Sequence, residues 1–196
     1  DLDGARSSRE PDLDGAGVKY VPQLCINCHG GDADAWSYSL AQEPDTIQPA
    51  AVLLGKLKGS SFLPFDLETL RYPRALERET QEAAFKQLNL LVRDSKPAPA
   101  ISTLIDGWYQ GGRTTQKTDY VPPAWAILDG GVDAAAVYLE AVAPSCRTCH
   151  TALNGGSVPS FASYAEWKKY LPAIAFDVCG HSPKAMPHAL LTFKNF

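Results

Sequence analysis

Two short stretches, Cys25-Ile26-Asn27-Cys28-His29 and Cys146-Arg147-Thr148-Cys149-His150, repeat one pattern, C-x-x-C-H, at widely separated places in a 196-residue chain. The chain holds only five cysteines and four histidines. A single match of this kind arises by chance on the order of a few thousandths of a time, and two far less often. Each position has a chemical task. Two thiols separated by two residues reach the two vinyl groups of a haem, and the residue that follows presents an imidazole to the iron. The pattern predicts two covalently attached c-type haems, with Cys25, Cys28, Cys146 and Cys149 forming the thioethers and His29 and His150 as proximal ligands.

Other uses of paired cysteines fit less well. A zinc ribbon places its two C-x-x-C pairs ~15–20 residues apart, whereas most of this chain lies between them. A thioredoxin-like redox pair needs a βαβ setting and gives no reason for a histidine after each second cysteine. Five cysteines are also too few for a disulfide scaffold. With 45% hydrophobic and 20% charged residues the chain is too apolar for disorder, so a folded protein is expected. Its net charge of −4 and the lack of any lysine or arginine run exclude a nucleic-acid or anionic-membrane footprint. The longest apolar stretches, 134–139 and 171–176, are far shorter than the ~20 residues that cross a bilayer, so no transmembrane segment is expected. No charged or apolar leader precedes Asp1, and the sequence reads as a mature or trimmed form. Because haem is attached to C-x-x-C-H outside the cytoplasm, a periplasmic or extracellular location is expected.

The pattern along the chain predicts a mainly α fold: cytochrome c-like helices around two covalent haems, with long irregular loops and little or no sheet. Residues 1–20, with two Asp-Leu-Asp-Gly tetrapeptides, form an irregular arm; the closing Glu of an EF-hand loop is missing, so a turn-rich linker is expected rather than a calcium site. Residues 21–120 make the first haem region and 121–196 the second, packed as one unit. Helices are expected over 32–41, 47–58, 79–93, 101–109, 131–142 and 160–170, with a last one from Pro187 onward. The 79–93 helix should bury Ala84, Phe85, Leu88, Leu91 and Val92, and the next should bury Ile101, Leu104, Ile105 and Trp108. The 131–142 helix should end at Pro144 and deliver Cys146 just beyond it. Phe161, Tyr164 and Trp167 form a stripe that suits either an ordinary core or packing against a haem.

Electron-transfer haems take a sixth ligand, usually Met or His. With His29 and His150 used, Met186, His181 and His188 remain. Met186, flanked by Pro183 and Pro187 and the only methionine, is the expected distal ligand of the second haem. No Met or His lies between His29 and His150, so the first haem has no local partner. Three routes stay open for it: His188 or His181 crosses over from the C-terminal segment, a neighbouring subunit supplies a His, or the site is five-coordinate. If His188 and Met186 served the two haems, the irons would lie close together and relay electrons rapidly. Cys179 is expected to be a small buried hydrophobe, with an intermolecular disulfide or a weak haem contact as the alternatives, and no function is assigned to it.

At both C-x-x-C-H motifs and in the tail Met186-Pro187-His188-Ala189, the chain resembles bacterial di-haem c-type cytochromes. The resemblance implies thioethers at the four motif cysteines, proximal His29 and His150, and Met186 as a distal ligand. It also implies electron transfer between redox partners without catalysis by the chain's own residues. The long spacing between motifs, with no ligand inside it, departs from a tandem duplication of a one-haem module. Marks of di-haem peroxidases are missing, so peroxidase chemistry is not implied. Two other expectations share the ligand deficit: an enzyme or gas sensor with an open first haem, and an oligomer or filament whose neighbours exchange histidines. Residues 62–66 (Phe-Leu-Pro-Phe-Asp) and 119–122 (Asp-Tyr-Val-Pro) also have a familiar look, but no role follows for them.

Overall fold

The computed structural model describes His29, residues 61–70, Tyr72, and residues 76–151 and 160–176. These are mostly helical, and the only sheet among them is a two-stranded hairpin, which agrees with a mainly α chain. The helices expected over 32–41, 47–58 and from Pro187 onward lie outside the described residues.

Helix α1 spans Arg78–Asp94 and α2 spans Pro99–Trp108, close to the expected limits. Pro99 opens α2, where a missing N–H costs nothing and a fixed φ suits the first turn. Ile101, Leu104, Ile105 and Trp108 are all buried, as their spacing predicts. The expected core face of α1 is corrected. Leu88 and Leu91 are exposed, at 38% and 66%, and Ala84 is exposed too. The inward residues are Glu82, Asn89 and Val92, with Phe85 half-buried. The reason is chemical: α1 packs against the non-helical 65–67 segment and Gln116, whose polar groups need hydrogen-bonding partners rather than leucines.

The expected helix beginning at Gly131 is also corrected. Leu128–Asp129 (β1) pairs antiparallel with Val132–Asp133 (β2), and the two residues between them, Gly130 and Gly131, have φ of 57° and 88°. Two adjacent positive-φ residues are what a two-residue hairpin turn demands, and glycine supplies them without strain. Helix α3, Ala134–Val137, starts only after Asp133, whose carboxylate accepts from the N–H of Ala135 (3.0 Å) and Ala136 (3.3 Å).

Nor does the helical backbone stop at Pro144. It passes through a π turn at Tyr138–Val142 into Ala143–Ser145 (α4) and, past Cys146, into Arg147–His150 (α5). Proline in a helix removes a hydrogen bond and crowds the carbonyl four residues earlier; the wider π turn just before Pro144 relieves that crowding.

Helix α6 spans Tyr164–Ala175 and is capped by Ser163, whose Oγ accepts from the N–H of Glu166 at 3.2 Å. Ser163-x-x-Glu166 is a capping-box sequence. The cap places Phe161 before the helix rather than on it, so Phe161, Tyr164 and Trp167 are not one helical stripe. All three still join the core, which gathers Val92, α2, Trp125, Tyr138, Val142, Phe161 and Tyr164. No helix among the described residues is long and apolar enough to cross a membrane.

Candidate functional site

Helical geometry explains why the second motif has its spacing. Cys146 caps the helical turn Arg147–His150, and Cys149 and His150 follow it at i+3 and i+4, the spacing at which residues of one turn become neighbours. The turn is closed by His150 N–H donating to Cys146 O (3.1 Å) and Thr151 N–H to Arg147 O (3.1 Å). No disulfide joins the two cysteines. Cys146 keeps partial solvent access, yet the protein around its sulfur raises the thiol pKa to about 11. That is opposite to the lowered pKa of a nucleophilic redox cysteine. Among the described residues no three His, Cys, Asp or Glu side chains gather as a metal site, so Cys146, Cys149 and His150 do not converge as zinc ligands do. Donors that are close in sequence without converging suit a porphyrin, whose thioethers sit at the rim and whose iron sits at the centre.

His150 is held by an aromatic stack. Its ring lies on Phe161 with centroids 4.1 Å apart and planes within 8°. Phe161 is itself fixed, since its N–H donates to His150 O (3.3 Å) and its carbonyl accepts from Trp125 Nε1 (3.0 Å). Trp125 packs on Tyr138, Tyr164 and Trp167 at 5.2, 5.7 and 5.9 Å. The segment around 119–122 thereby acquires a role: it leads into the tryptophan that buttresses the second motif.

Behind the motif, Arg147 is fully buried and donates through Nε (2.5 Å) and Nη2 (2.9 Å) to the two oxygens of an equally buried Asp66. Its guanidinium also lies over the rings of Trp108 (5.2 Å) and Tyr138 (5.9 Å). Burial works against the arginine's charge. The hydrogen bonds and charge of Asp66 outweigh it, together with Tyr138, and hold the pKa above its ordinary value. Asp66 accepts further from Gln116 Nε2 (3.0 Å); Gln116 N–H donates to Glu82 (2.9 Å), and Glu82 accepts from Arg78 Nε (2.9 Å). Asn89 grips the same strand of chain, accepting from Phe65 N–H (2.8 Å) and donating to Phe65 O (2.9 Å). Among the described residues Arg147 Nη1, Trp108 Nε1, Tyr138 Oη and Thr148 Oγ1 are buried without a hydrogen-bond partner.

Of the first motif, His29 is described. Its Nδ1 lies 2.9 Å from the Ser61 carbonyl, and Ser61 N–H donates to His29 O at 2.8 Å. A carbonyl only accepts, so Nδ1 is the donor of this pair and Nε2 is the ring nitrogen turned away from Ser61. This is how a metal-ligating histidine is usually oriented. Ser61 is anchored in turn, its Oγ accepting from Ala98 N–H (3.2 Å) at the start of α2. Cys25, Cys28, Cys179, His181, Met186 and His188 lie outside the described residues.

Sequence reasoning missed Ser61, Asp66 and the burial of Arg147. One signal was present: Asp66 is the only charge in the apolar run Phe62 to Leu67, and a lone carboxylate in such a run needs a buried partner. No protein-family model, curated protein or solved structure matches the chain.

Proposed function

We propose that the chain is a di-haem c-type cytochrome that passes electrons between redox partners in the periplasm or outside the cell. The observation that carries this is the second motif: two cysteines with no disulfide between them and a buttressed imidazole at one helical turn. The hydrogen bond from Nδ1 of His29 to the Ser61 carbonyl adds to it, since a metal-ligating histidine is commonly held by its other ring nitrogen in this way. A haem bound at either motif would take up and release one electron at its iron. The chain's own residues do the rest. The four motif cysteines fix the cofactor, His29 and His150 present nitrogen to it, and Ser61 and Phe161 hold those two rings. Met186 would complete the second haem, and His188, His181 or a neighbouring subunit's histidine would complete the first.

Mass spectrometry of the denatured, intact protein tests the proposal. The expected mass exceeds that of the polypeptide by two haems, and Cys146→Ala/Cys149→Ala removes one of them. Carbon monoxide added to the reduced protein should leave its spectrum unchanged. A chain of bare polypeptide mass, purified from a host competent in haem attachment, would sink the proposal. A carbon monoxide complex would replace electron transfer with chemistry at an open first haem.

A further inference from the structure

Residues 61–66 touch both motifs. At one end Ser61 exchanges hydrogen bonds with His29, and at the other Asp66 takes both oxygens to Arg147, the residue next to Cys146 in the second motif. Five residues of chain span at most ~18 Å, so the two contacts are strapped together at short range. The strap is fastened to the body of the protein at three points along its length: Ala98 at Ser61, Asn89 at Phe65, and Gln116 at Asp66 and Leu67.

We propose that Asp66 is a positioning residue for the second haem motif, acting through Arg147, and that it belongs to a strap which also orients the proximal histidine of the first. The inference rests on the di-haem reading. Arg147 sits between the two thioether cysteines, so its position and charge are tied to the second haem by covalent bonds. The two-pronged carboxylate fixes the fork of the guanidinium, which in turn fixes the turn that carries Cys149 and His150. The same carboxylate neutralises the arginine. An arginine left alone stays protonated, and a positive charge beside a haem favours the reduced iron.

An EPR-monitored redox titration of the holo-protein tests this, with the first haem's signal assigned in the Cys146→Ala/Cys149→Ala chain. Asp66→Asn should move the second haem's midpoint to a more positive potential and leave the first where it was. Asp66→Leu/Arg147→Met, which buries no lone charge, should bring the second midpoint back near its original value while spreading that haem's EPR signal, because the clamp is gone. Mass spectrometry on each variant counts the haems. A second midpoint unmoved in Asp66→Asn, or both midpoints moved equally, overturns the proposal. If Asp66→Asn does not accumulate, the double variant decides: a second-haem signal as sharp as in the original protein overturns it. Absence of covalent haem from the unmodified chain would instead sink the di-haem reading itself.

Discussion

Charged side chains enter a core only when their partners enter with them, and Arg147 and Asp66 do so across 81 residues of sequence. Replacing such a pair by apolar residues is often neutral, so the pair is not a large source of stability; what it supplies is a fixed geometry for the turn between the cysteines. Steric fit plays the matching part at Gly107. A Cβ there would come within 2.0 Å of Cζ in the Tyr120 ring, because α2 carries a glycine where that ring lies against the helix. Gly107→Ala would gain up to ~1 kcal/mol from helix propensity. Displacing a packed ring costs roughly 1–3 kcal/mol. The second effect wins, and Gly107→Ala should lower the denaturation midpoint of the protein, whereas Tyr120→Ala/Gly107→Ala should recover part of the loss through removal of the clash. An alanine variant as stable as the original would show that the ring moves aside freely.

Helices are where the sequence was most legible, and the reasons differ from one to the next. In α2 the apolar spacing and the buried face coincide, since its inward residues Ile101, Leu104, Ile105 and Trp108 join the hydrophobic core. In α1 the limits were legible but the face was not, because Glu82 and Asn89 turn inward to satisfy a loop whose position no periodicity encodes. The helix expected from Gly131 starts later, at Ala134 behind its Asp133 cap, because Gly130-Gly131 forms a hairpin turn that helical composition alone does not reveal. Ser163-x-x-Glu166 was legible in retrospect as a start signal, and it would have placed Phe161 outside α6. The cap also gives a test at this scale. Ser163→Ala leaves the Glu166 N–H without its acceptor and should cost ~1 kcal/mol, while Ser163→Asp should cost little. Thermal or denaturant unfolding of the two variants measures the difference, and equal loss in both would mean that the cap is not what starts α6.

Across the whole molecule, both C-x-x-C-H motifs were legible because each pattern is local in sequence, while the strap at 61–66 was not, because its two contacts are long-range and leave no repeat to read. The same long-range packing gives the protein a shared response to alkali. Tyr109 at the end of α2, Tyr120 in the segment that packs on Gly107, and Tyr138 on the π turn come from separate parts of the chain, and burial raises the pKa of each. Arg147 works against the rise at Tyr138 but does not cancel it. A phenol whose folded pKa lies above its unfolded value binds its proton more tightly in the folded protein. Its contribution to stability is therefore complete below the ordinary tyrosine pKa of ~10 and is lost as pH climbs through the higher folded value. Ultraviolet titration of the protein at the phenolate band should show these three phenols ionising only above the ordinary tyrosine pKa, together with loss of the helical circular dichroism signal. Tyr138→Phe removes one of these phenols and should move the alkaline unfolding to higher pH, since its ionisation no longer favours the open chain. A single early titration step in the original protein, with the helical signal intact, would show that these three rings are open to solvent and that the segments carrying them do not unfold as one.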